Sequence, residues 1–119
     1  MLLQTVSPVA VLGTTVLFAL FLSLTAHLAA RNVLGDADPR RALYVGPLPA
    51  IVGVVGGAFE VSPLLVVPVA LALDAVMFRW SYERDARITL AMTGIHVVVT
   101  VLLAVVLGGI LTLLATRPT

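Results

Sequence analysis

The sequence contains no cysteine, which excludes disulfides, thiolate metal sites and thiol catalysis together. It contains no lysine either, so all seven cationic side chains are arginines. Charge of either sign is scarce. Charged residues make up 11% of the chain, against about a quarter in an ordinary soluble domain. With a net charge of +1 and no basic stripe, nothing in the chain suits a phosphate backbone, and no nucleic-acid partner is expected. Also missing are HExxH, GxSxG and any phosphate-cradling glycine loop. The chain is therefore not expected to be an enzyme, and no cofactor and no resident metal are expected. Ser23 and His27 are the only nucleophile and base four apart on one helix face, and no third group orients them.

What the chain has instead is apolar length. Hydrophobic residues make up 61% of it, in runs long enough to place it in the membrane class. Its 119 residues leave room for about four spans and no separate soluble domain. The expected fold is all-α: an integral membrane four-helix bundle forming a single transmembrane domain over residues 1–119, with the lipid bilayer as first partner.

The stretch from Leu43 to Phe78 organises the rest. It is apolar almost throughout and broken only at Glu60-Val61-Ser62-Pro63. That is too long for one span and right for two short ones, so it is expected to form a tight, proline-kinked hairpin that either crosses twice or re-enters. Three cap-then-proline signals, Ser7-Pro8, Asp38-Pro39 and Ser62-Pro63, mark helix starts. They predict a first helix over about 9–30, a second over about 40–61 and a third over about 63–79. A fourth over about 88–115 is capped by Asp85. No Arg precedes Arg31, and the run from Val9 to Ala30 exceeds a signal peptide's apolar core, so the first helix is expected to be a retained span. Pro47 and Pro49 each remove a backbone donor, which predicts an irregular start to the second helix. Tyr44, Trp80 and Tyr82 fit an interfacial aromatic belt.

Six of the seven arginines lie in two polar loops, 31–42 and 79–87, and the Glu60 turn has none. Arginine excess marks cytoplasmic loops. Both loops are therefore expected in the cytoplasm of a cell-membrane protein, with the N-terminus, the C-terminus and Glu60 outside. Glu83 and Arg87 stand at the spacing of a local ion pair.

Two residue sets then need a role. Gly46, Ala50, Gly53 and Gly57 recur at spacings of four, three and four on one face of the second helix. Small residues there let helix backbones approach, either within one chain or across a homo-oligomer or larger membrane complex. The second set is ionisable or polar at membrane depth, where such groups are costly and are functional candidates by default. His27, Asp74 and His96 lie toward the cytoplasmic half, and Thr93 and Thr100 share the His96 face of the fourth helix. If they converge they form an intramembrane polar pocket, able to relay protons because unperturbed histidine titrates near neutrality. The alternative is that His27 and Asp74 reach to the interface while His96 bonds a threonine or carbonyl. The chain thus reads as a small multi-pass membrane protein, structural or accessory, packing through its small-residue faces. The competing reading is a minimal oligomeric transporter or channel, coupled to protons or ions through the His/Asp pocket.

Overall fold

Four of the five helix starts carry a side-chain acceptor that the sequence supplies. The structure, a computed structural model, describes residues 7–118. Ser7 Oγ accepts from the Ala10 amide (3.0 Å) and opens α1, Pro8–Leu34. Asp38 Oδ1 accepts from Arg40 N (3.0 Å) and opens α2, Pro39–Ala42. α3, Pro47–Ala58, follows after one irregular turn. Ser62 Oγ accepts from Leu64 N (3.3 Å) at the head of α4, Pro63–Tyr82. Asp85 Oδ1 accepts from Ile88 N (2.9 Å) at the head of α5, Ala86–Thr116. Each cap satisfies an amide that the first helical turn otherwise leaves bare. Gly35 closes α1 at φ +83°, its amide bonded to Arg31 O (2.9 Å).

Helix is the dominant structure of the described residues, which contain no strand. Four helical segments are long and apolar enough to cross a membrane: α1, the α2–α3 unit Pro39–Ala58, α4 and α5. The expected second helix is interrupted at residues 43–46. An amide at Pro47 or Pro49 would have bonded the carbonyl four residues back, at Leu43 or Val45, and neither proline has one to give. The expected third helix is longer than its apolar run, because α4 continues through Arg79 and Trp80 to Tyr82. Pro68 sits inside it without ending it. Glu83 takes the left-handed conformation (φ 55°) and stops α4. It lies 3.8 Å from Arg41, so its ionic partner is across the molecule and not Arg87.

Neighbouring segments close a ring, with α1 against α5 and α3, α3 against α4, and α4 against α5. The core lies at one end of this ring, where Ala26, Ala30, Val45, Phe78, Tyr82 and Met92 are buried together. The two polar loops meet at that same end. Arg41 Nη1 donates to Ser81 O, and Ser81 Oγ donates back to Arg41 O (2.7 Å). Tyr44 and Trp80 stack edge to face beside them, with ring centroids 5.6 Å apart. At the far end lie the Glu60 turn, the start of α1 and the finish of α5. Apolar side chains there face outward, as at Leu64 (89% exposed) and Leu113 (72%).

Candidate functional site

Between the buried core and the open apolar end, α1, α4 and α5 are tied by a polar network. α5 presents His96 and α4 presents Asp74, each only 3% exposed. His96 Nδ1 and Asp74 Oδ2 are hydrogen-bonded at 2.5 Å, the imidazole N–H donating when the carboxylate is ionised. On the other side of the ring, Nε2 lies 2.8 Å from Thr25 Oγ1 and 3.0 Å from Leu22 O, both on α1. Thr100 Oγ1 donates to Thr25 Oγ1 (2.9 Å), and Thr25 Oγ1 is 3.1 Å from Leu22 O. The Phe78 ring stands edge-on to the imidazole, with centroids 5.4 Å apart.

These heavy atoms accommodate two proton placements. With Nε2 bare, the Thr25 hydroxyl donates to it. With Nε2 protonated, Nε2–H donates toward Leu22 O or Thr25 Oγ1, and the Thr25 hydroxyl turns to Leu22 O. The ring orientation is set by its acceptors, and the two placements differ by a single proton. With the carboxylate ionised, the Asp74–His96 pair carries a net charge of −1 in the first and none in the second.

The structure thus brings together Asp74, His96 and Thr100 of the expected polar set and leaves two members outside. His27 is half-buried on α1 with no hydrogen-bond partner at Nδ1 among the described residues. Thr93 donates to Thr89 O within α5 (2.9 Å). The residue that sequence reasoning missed is Thr25, fully buried and bonded to both α5 side chains. A usable signal was present, because Leu22, Thr25, Ala26, Ala29 and Ala30 recur at helical spacing and are small except for the first. Such a face admits a neighbouring helix closely. Among the described residues, no three His, Asp or Glu side chains come together as a metal ion would require.

A cavity of about 270 Å³ lies on the open side of the tie. All four membrane-length segments wall it, through residues such as Phe18, Gly53, Val67, Ala70 and Val101, and its exposed lining is almost wholly apolar although Asp74 and His96 border it. Asp74 Oδ1 is buried and has no hydrogen-bond partner among the described residues. On the opposite side of the tie, fully buried Phe78 and Met92 separate it from the Arg-rich loops.

The small-residue face of the second segment divides. Gly46 lies so close to α1 that a Cβ there would overlap Ser23 Oγ and the Ala19 carbonyl. Ala50 is fully buried, and a Cβ on Gly53 would come 3.1 Å from the Phe18 ring. Gly57 faces open space. Gly56, one position earlier, presses on Val66 of α4 instead.

The model of a family of unknown function (DUF7473) matches residues 5–118. No curated protein and no solved structure matches the chain.

Proposed function

The chain belongs to that family of unknown function, and we propose that it is a small integral membrane protein of structural or accessory kind. Its four segments cross the bilayer as one bundle. α3 with α2, and α4, each span 20 residues or about 30 Å, the thickness of the hydrocarbon core, so the hairpin crosses twice rather than re-entering. The Arg-rich loops face the cytoplasm, and both termini and Glu60 lie outside. The outward apolar side chains are then in lipid or against partner helices.

One observation carries the structural reading over transport. The Asp74–His96–Thr25–Thr100 network runs across the bundle from α4 to α1 and α5, and toward the loops it is stopped by Phe78 and Met92, each fully buried. Proton movement along side chains needs a run of polar groups, and the Phe78 and Met92 side chains supply none. A polar tie between helices holds them in register where lipid gives no hydrophobic drive between them. The protein then works by packing, with itself or with a larger membrane complex. Gly57, Gly94, Gly108 and Gly109, against which nothing among the described residues packs, are the close-approach positions for that packing.

Proteoliposomes test this reading. The purified chain, reconstituted under an imposed pH gradient and membrane potential, is expected to dissipate neither faster than empty vesicles do. A proton flux that is abolished by Asp74→Asn would replace the structural reading with the transporter.

A further inference from the structure

The packing role does not use the cavity beside the Asp74–His96 pair. We propose that it is a binding site for a single hydrocarbon chain, the tail of a membrane lipid, which enters sideways between α4 and α5. The proposal rests on the reading of the chain as a membrane protein and goes beyond it, because it gives the bundle a ligand.

The lining sets the chemistry. Its exposed walls are almost wholly apolar. Asp74 and His96 border the cavity, yet each is only 3% exposed, and Asp74 Oδ1 is itself buried. The imidazole nitrogens and Asp74 Oδ2 are taken up within the tie, as is the Thr100 hydroxyl. An occupant therefore finds no polar partner, and a headgroup placed here would give up its hydrogen bonds to water for nothing in return. Water fails for the same reason, since apolar cavities stay dry and take up apolar molecules. At this depth in a bilayer the apolar molecule at hand is lipid hydrocarbon.

Shape then selects one chain. Along α4 the lining runs from Val66 to Asp74, about 12 Å of helix. A volume of about 270 Å³ spread over that length has a mean cross-section of roughly 22 Å². That is wide enough for one extended chain of methylenes and far too narrow for a partner helix, which is about 10 Å across. The cavity also has a way in. Val67 on α4 and Val101 on α5 both line it and are 53% and 54% exposed, so the seam between these helices is open at this level. A lipid tail reaches in there while its headgroup stays at the membrane surface.

The test uses the full chain in digitonin, a detergent with a rigid fused-ring body in place of an alkyl tail, so that the detergent does not compete. Two hydrocarbons of equal carbon number serve as probes: n-decane, a narrow chain, and adamantane, a compact cage. The thermal unfolding midpoint is followed by circular dichroism as each is added. n-Decane is expected to raise the midpoint as a one-site ligand of the folded state does. Its apparent affinity is expected to exceed that of adamantane by about tenfold or more. Two variants fill the cavity from two of its walls, Ala70→Leu on α4 and Val101→Phe on α5. Whichever folds is expected to lose the decane response, which separates the cavity from any effect of the alkane on the micelle. No shift with n-decane overturns the proposal, as does an equal response to adamantane or one that survives cavity filling. None of these outcomes bears on proton flux, so a failure here leaves the structural reading standing.

Discussion

Asp74 and His96 are each expensive alone and tolerable together. A lone ionisable group at the centre of a membrane helix costs about 2.5–3.5 kcal/mol on insertion scales. Paired at 2.5 Å, each supplies what the other lacks. Removing one partner strands the other, at about 3 kcal/mol, whereas replacing both by apolar residues of similar size is often neutral. Asp74→Leu and His96→Leu are therefore each expected to destabilise by about that amount. The double variant is expected to fall well short of their sum, which a double-mutant cycle on unfolding in detergent reads directly. Additive losses would mean that the two side chains do not act as a pair. Thr25→Val removes the hydroxyl that joins both α5 side chains to α1, and is expected to cost about 1–2 kcal/mol. The sequence exposed Asp74 and His96 because an ionisable residue in an apolar run needs explaining wherever the fold puts it. It did not expose Thr25. A threonine can satisfy its hydroxyl on its own helix, so only the neighbour that α5 brings makes this one different from Thr15, which bonds Val11 O (2.8 Å).

The elements were legible where local chemistry decides them. Ser7, Asp38, Ser62 and Asp85 announce helix starts because their side chains bond the first free amides, and each does so. The ends were harder to place. α4 outruns its apolar stretch because Ser81 and Arg41 bond across to each other, and that contact holds the last turn helical. Packing faces are intermediate, since periodicity nominates a stripe but only neighbours decide how much of it is covered. The stripe at Gly46, Ala50, Gly53 and Gly57 is covered over its first three members and bare at the fourth. A pair of one-methyl substitutions separates the two situations. Gly46→Ala pushes a methyl into the α1 backbone, which cannot step aside as a side chain can, and is expected to cost about 1–3 kcal/mol. Gly57→Ala meets nothing and gains helix propensity, so it is expected to stabilise by up to about 1 kcal/mol. Gly57→Leu adds an assembly readout. It is expected to leave the monomer folded and to dissociate any oligomer that uses this end of the stripe, as measured by mass in mild detergent.

At the scale of the whole molecule, two independent arguments support the proposed path of the chain through the bilayer. The first is charge, since arginine excess favours the cytoplasmic side for both loops. The second is contact. Arg41 in the first loop and Ser81 at the end of α4 bond each other twice, and Glu83 lies 3.8 Å from Arg41. Loops on opposite faces of a ~30 Å core could not do this. In the proposed topology the hairpin between them therefore crosses an even number of times, and it returns through the Glu60 turn at the far end. Because the chain has no cysteine, single ones can be placed without background. Asp36→Cys and Glu83→Cys report the two loops, and Glu60→Cys reports the hairpin turn. None of the three removes an arginine, so the charge bias is left as it is. In intact cells a membrane-impermeant maleimide is expected to label Glu60→Cys alone, and after permeabilisation all three. The inverse pattern, labelling at Asp36→Cys and Glu83→Cys alone, would keep the bundle and reverse its orientation. Labelling of only one of the two loop positions from outside would break the Arg41–Ser81 contact as well as the charge argument. The ring of four segments and the cavity inside it could not survive that result.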